Sequence, residues 1–355
     1  MKAKVMNRAC PKLFVAALQL IVAGGLVFSA VAAELPAKKP EMKVFSDPRQ
    51  VDADFRFQGE YSGAIKQSDG TSAKLGGQIR ALGNGSFRTM FFAGGLPGDG
   101  WDGKTIIQKE PSTDMTTPAD AKLNGDKMVI EQIYKATCDG QSIVGATGTG
   151  AKFELKRVAR SSPTMGAPAP AGGIVLFDGT NLDEWQKGAR MTPDKWITSA
   201  GGATSVRKFQ DFTLHVEFMI SYMPETQTIY QRPNSGVYLQ QRYEIQILDS
   251  FGIIERVHDC GVLYAQYTPV INMCYPPLTW QTYDIDFTAA RYDAGKKTKP
   301  GRVTIKFNGV TIIDDVEIKG PTPGGSPETP DPGSTYLQAH GHPVYFRNVW
   351  AVEKK

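Results

Sequence analysis

The stretch YEIQILDS, residues 243–250, carries side chains whose types and spacing suit acid–base chemistry. Read as a strand, it sets Tyr243, Ile245 and Ile247 on one face and Glu244 and Gln246 on the other, with Asp249 close behind. A carboxylate can take or return a proton, and an amide beside it both donates and accepts. Neighbouring segments repeat the pattern. FTLHVEFMI (212–220) opposes His215 and Glu217 to Leu214, Val216, Phe218 and Ile220. GVYLQ (236–240) turns Tyr238 and Gln240 away from Val237 and Leu239, and TYDIDFT (282–288) turns Asp284 and Asp286 away from Tyr283, Ile285 and Phe287. If these polar faces are shared, one sheet holds His, Glu, Tyr, Gln and Asp together. Solvated antiparallel sheets alternate in the same way. This face is nevertheless thin in Lys. Amides and carboxylates match the donors and acceptors of a polyol, and an aromatic ring packs on the apolar face of a sugar.

Ordinary retaining glycoside hydrolysis needs two carboxyls about 5–5.5 Å apart. Sandwich glucanases of the laminarinase and lichenase type carry them as Glu-x-Asp-x-x-Glu on one strand, with a bulge that brings the last onto the groove. Here the same frame reads Glu244-x-Gln246-x-x-Asp249. The central acid is an amide, and without a bulge Asp249 points to the core. The spacing therefore argues against a two-carboxylate glycosidase.

The elements that must position these residues are strands. Residues 55–159 read as short β segments punctuated by Gly, Asn and Asp, which predicts a small antiparallel barrel or sandwich. Residues 160–173, RSSPTMGAPAPAGG, have the composition of a linker. Residues 174–355 form a second β domain, with Asn308-Gly309 marking a hairpin turn that needs positive φ at both positions. A long Pro/Gly loop spans 320–333. The expected fold class is all-β throughout, with 37 Gly and 23 Pro in 355 residues consistent with many turns.

The first 33 residues differ. Lys2, Lys4, Arg8 and Lys12 precede an apolar run over 13–28 and a small-residue Ala30-x-Ala32 site, which reads as a secretory signal peptide. Residues 34–54 are then a Pro- and Lys-rich lead-in. Removing the four basic residues of the signal from the chain's 40 leaves 36 against 36 acidic, so the basic balance is no sign of nucleic-acid binding. No later stretch is apolar enough to span a membrane. The expected location is periplasmic or extracellular. There Cys260 and Cys274 could close a disulfide, leaving Cys138 over. No C-x-x-C pair suggests thiolate zinc, and no full oxygen-ligand loop surrounds Asp249, so no metal or cofactor is expected.

The order of blocks VLFDGTNLDEW (175–185), DFTLHVEFMI (211–220), RPNSGVYLQ (232–240), YEIQILDS, WQTYDIDF (280–287), NGV (308–310) and LQAHGHPVYFRNVW (337–350) resembles the 3-keto-disaccharide hydrolase family over about residues 174–353. The resemblance implies a two-sheet, concanavalin-like jelly roll that acts on oxidised (3-keto) disaccharides or glycosides, with residues 34–159 as an accessory module. CGVLYAQYTPVINMCYPPLTW looks like a branch of that family with paired cysteines, which supports a Cys260–Cys274 bridge. One position departs from the pattern: Ala339 stands where the family usually has an acid before His340.

A ketone at C3 acidifies the C2 proton, so a base can start an elimination that expels the C1 substituent before water adds back. On that reading Glu244 and His340 are the catalytic candidates. Arg232 and Arg347 would stabilise enolate charge, while Asn234, Tyr238, Gln240 and Gln246 would bind hydroxyls. Each has a plainer reading. Asn234-Ser235-Gly236 can be a strand-entry turn, Arg347 a surface ion pair, His215 an ordinary sheet residue, Asp178 a turn, and Trp185, Trp280 and Trp350 core. The competing function is a lectin-like protein that binds carbohydrate without cleaving it. A third makes both domains parts of a cell-surface polysaccharide scaffold, which tight binding of insoluble glycan by residues 34–159 alone would support.

Overall fold

The computed structural model describes residues 42–66, 69–107, 119–132, 134–226, 228 and 231–354. The signal-peptide segment and residues 34–41 of the lead-in lie outside the described residues. Within them the chain is all-β, and no helix is long and apolar enough to cross a membrane.

The first β region is a barrel. Its antiparallel strands follow the order Ser72–Gly83, Gly59–Lys66, Lys152–Val158, Ser142–Ala146, Lys135–Cys138, Lys127–Glu131, Ala121–Asn124 and Ser86–Ala93. Pairing of Ser72–Gly83 with Ser86–Ala93 closes the ring and removes the free edges a sandwich would leave. Alternation fills the interior with Tyr61, Leu75, Ile79, Phe87, Phe91, Met128, Ile143 and Leu155. The opposite face of Ser72–Gly83 and Ser86–Ala93 is also buried, at Gln78, Arg80, Arg88, Met90 and Phe92.

The second region is the expected two-sheet sandwich. The large sheet is ordered Arg190–Met191, Ile197–Thr198, Val344–Glu353, Phe212–Ile220, Trp280–Thr288, Arg302–Phe307 and Val310–Glu317, with Ile174–Phe177 also paired to Val344–Glu353. The smaller sheet runs Ala203–Phe209, Gly333–Leu337, Asn234–Leu239, Tyr243–Leu248. Between them lie Leu214, Val216, Phe218, Val237, Leu239, Tyr243, Ile245, Ile247, Tyr283, Ile285 and Phe287, the apolar half of each alternating strand. Asn308 and Gly309 take φ of 49° and 81°, the hairpin geometry the sequence asks for.

Two segments read as connectors are packed against the sandwich. Phe45 exchanges two backbone hydrogen bonds of 2.9 Å with Tyr222 and stacks on its ring. Residues 162–167 lie over the outer face of the large sheet, where Ser162 bonds Thr282, Thr164 donates to Asp284, and the Ala167 carbonyl accepts from Asn348 and Trp350. Pro and Gly remove competing strand pairing there, so the segment is free to lie along side chains.

Candidate active site

The two polar stripes do not share a face. His215, Glu217 and Asp284 stand on the outer side of the large sheet; Tyr238, Glu244 and Gln246 stand on the outer side of the smaller one, with the core between. Alternation determines inside from outside, but it cannot say which strands are neighbours.

On the large sheet, His215 Nδ1 meets Asp284 Oδ1 at 2.6 Å and its ring stacks on Trp350. Burial lowers the His215 pKa, but the hydrogen bonds and charges of Asp284 and Glu217 outweigh it and leave it raised. Burial pushes Glu217 up, yet bonds from His215, Asn348, Arg347 and the Gly166 amide hold it at about 2. Arg347 lies opposite Glu217 in the ladder, bonds it at 2.6 Å and sits over Trp280. With Thr164 and Gly166 tied to the same acids, this cluster fastens residues 162–167. Arg347 is therefore removed from Glu244 by the thickness of the sandwich, contrary to the expectation that it serves the same groove. His215 is fully buried and paired with Asp284, a sheet residue that helps hold this cluster together.

The smaller sheet gathers the remaining candidates. Tyr238 lies directly opposite Glu244 in the hairpin and donates to Glu244 Oε2 at 2.8 Å. Gln338, just past Gly333–Leu337, donates to Tyr238 Oη at 3.1 Å. Burial raises the Glu244 carboxyl to about 7, with the Tyr238 hydrogen bond opposing. Burial and the neighbouring Glu244 push the Tyr238 phenol up. Gly236 supplies the room: a Cβ there would stand 2.3 Å from Glu244 Oε1. Gly236→Ala is expected to displace the carboxylate and cut activity more than tenfold, with thermal unfolding shifted by only a few degrees; steady-state kinetics beside a melting curve would check it.

The same face holds buried oxygens without donors. Asn234 Oδ1, Gln246 Oε1 and Gln338 Oε1 have no hydrogen-bond partner. Three loops border it. Residues 262–264 run along the free edge, with Tyr264 N donating to the Glu244 carbonyl; Thr322 Oγ1 accepts from Glu244 N; and residues 338–342 continue from Gln338. His340 is exposed in the last of these, and Ala339 N donates to Tyr336 Oη. Among the described residues no group of three or more His, Cys, Asp or Glu is arranged to hold a metal ion.

Three other expectations are corrected. Arg232 is not at the groove: it is fully buried, bonds Asp249 at 2.5 Å and donates to the Ala81 carbonyl of the barrel at 3.0 Å. Gln240 turns with the hairpin at φ 54°, and its amide donates to the Phe209 carbonyl and accepts from Arg242, so both ends are used structurally. Cys260 and Cys274 are free, buried thiols and not a disulfide. Cys260 Sγ lies 3.2 Å from Tyr283 Oη, and Cys274 Sγ lies 3.8 Å from the Leu248 carbonyl. Each thiol thus has its own oxygen partner, and burial with the adjacent Cys260 drives the Cys274 thiol well up. Trp185 is core, as read, with its indole N–H on the Leu176 carbonyl. Sequence reasoning missed Gly236 and Gln338 as site residues. Period two from Tyr336 to Gln338 was the available signal for the second.

A family model described as the 3-keto-α-glucoside-1,2-lyase-like domain matches residues 172–352, half of the chain. The chain belongs to this family. The match spans nearly all of the sandwich, including every strand of the Glu244 face, and supports a glycoside hydrolase-like function. Solved structures of candidate glycosyl hydrolases from Parabacteroides distasonis are each similar to about half of this chain. One is 31% identical with a TM-score of 0.47, covering 53% of this chain and 86% of that one. A second is 18% identical at 0.40, covering 52% and 95%, and a third 20% identical at 0.32, covering 51% and 99%. No curated protein matches the sequence.

Proposed function

We propose that this protein is an exported enzyme that cleaves the glycosidic bond of 3-keto-glycosides by elimination followed by water addition. The observation that carries the reading is the Glu244 carboxyl, raised to about 7 and set against Tyr238 on a face of unpaired amide oxygens. A base with a pKa near the working pH combines a useful ionised fraction with proton affinity. Asn234, Gln246 and Gln338 offer acceptors that sugar hydroxyls would satisfy, which replaces the cost of leaving them buried and bare.

Glu244 takes the C2 proton, and the C2–H electrons form the enolate with charge on the C3 oxygen. That charge returns to rebuild the C3 carbonyl, a C1–C2 double bond forms, and the C1–O bond breaks. The leaving oxygen takes a proton, for which exposed His340 is the candidate donor. Water then adds at C1 and a proton returns to C2. Tyr238, held between Glu244 and Gln338, fixes the carboxylate.

The test is incubation with a 3-keto-glucoside and with its unoxidised parent in deuterated water. Release of the aglycone only from the keto compound, with deuterium at C2, is the expected result. Sugar binding without turnover of any keto-glycoside would establish the lectin-like alternative instead.

A further inference from the structure

Between the barrel and the sandwich loops lies a cavity of about 430 Å³, lined by none of the residues of the Glu244 face. Met90, Phe92 and Trp101 line it from the barrel side, and Ile253, Ile254 and Val270 from the sandwich loops. Phe92 and Trp101 meet edge to face with ring centroids 5.0 Å apart. The volume is that of a small-molecule site. Its wall also contains Glu255, both of whose carboxylate oxygens are buried with no hydrogen-bond partner. Folding alone gives no reason for that group: an unpaired buried carboxyl costs stability, and an apolar side chain of similar size would fill the place.

Most other polar side chains of the wall are already used, and Lys104 and Thr268 are exposed at its rim. Gln78 Nε2 donates to Glu60, Trp101 Nε1 to the Thr105 carbonyl, and Asn272 donates to Ser250 and Ile253 while accepting from Cys274 N. A polyol placed here would bury hydroxyls without partners, so the cavity does not extend the proposed sugar site. An apolar body carrying one strong donor is complementary. Of such donors, an ammonium gains most, because it forms a charge-assisted bond to the carboxylate and is attracted to the aromatic faces of Phe92 and Trp101. We infer that this cavity is a second binding site, for a compact organic ammonium compound with an apolar body, and that Glu255 is its anchoring residue.

The charged and titratable groups around Glu255 are Asp259 and Cys260, which oppose its ionisation after burial does, and Arg256, which favours it; Cys274 and Tyr283 lie close, and Lys104 stands at the cavity wall. Burial first, and then Asp259 and Cys260, hold the Glu255 carboxyl well above the ordinary carboxylate range, so pairing with an ammonium favours loss of the carboxyl proton.

Calorimetric titration of the full mature chain with phenethylammonium, 2-phenylethanol and 3-phenylpropionate tests this. The ammonium is expected to bind tightest and to release a proton, read from titrations in two buffers of different ionisation enthalpy. Glu255→Gln should weaken the ammonium at least tenfold, leave the alcohol within about twofold, and leave glycoside cleavage unchanged. Absence of saturable binding of all three by the unaltered protein would overturn the site. Ammonium binding without proton release, or undiminished in Glu255→Gln, would overturn the role of Glu255 without any variant having to answer for its folding.

Discussion

Glu244→Gln is expected to lower turnover of a 3-keto-glucoside by about a thousandfold, within the range a positioned general base contributes. The substitution keeps the size of the side chain and its place over Gly236, so the Tyr238 hydroxyl retains a carbonyl oxygen to donate to. Substrate binding should survive within a few-fold, which places the loss in kcat. The pH profile carries the same information. Burial raises the carboxyl to about 7, and the base acts when ionised, so kcat/KM rises with pH through about 7 and levels off above it. Tyr238→Phe removes the hydrogen bond that lowers that value and is expected to move the rise to higher pH. A Glu244→Gln enzyme within threefold of the parent, or an inflection at the pH of an ordinary exposed carboxylate, would remove Glu244 from the chemistry.

The second large effect concerns stability. Arg232 and Asp249 form an ion pair with both side chains fully buried, and Arg232 also reaches the barrel through the Ala81 carbonyl. Removing one partner of such a pair leaves the other charged in a dry place, at a cost of about 3–5 kcal/mol. The two partners are not equivalent. Arg80 is fully buried nearby with its three guanidinium nitrogens unpaired, and Asp249 is one of the acids that offsets it. Asp249→Asn leaves Arg80 and Arg232 facing each other without that carboxylate, and the full ~3–5 kcal/mol is expected. Arg232→Met leaves Asp249 with Arg80 as a substitute partner and should cost clearly less. Urea unfolding of the two variants decides this, and an Arg232→Met protein as unstable as Asp249→Asn would show that Arg80 does not couple to the pair.

Much of the fold was legible because a strand has a period of two. The alternation in YEIQILDS placed Tyr243, Ile245 and Ile247 in the core and turned Glu244 and Gln246 to the opposite face, which the structure shows to be buried as well. Asn308-Gly309 foretold its hairpin because few residues tolerate two successive positive φ values. The missing Glu-x-Asp-x-x-Glu spacing correctly set Asp249 apart from Glu244, and the structure gives it a buried arginine. Polar composition was a poorer guide. Arg232, Gln240 and Arg347 carry the donors a sugar site would use, but the same donors close a domain seam, a hairpin and a docked strap.

From sequence alone come the strands, their inward and outward faces and the family blocks, since each depends on near neighbours along the chain. Tertiary structure alone decided that the polar stripes lie on opposite sheets, that Gly236 opens the space Glu244 occupies, and that Gln338 reaches Tyr238 from 100 residues away. Those facts depend on strand order, and strand order is set by packing two sheets over one core, which no local pattern records.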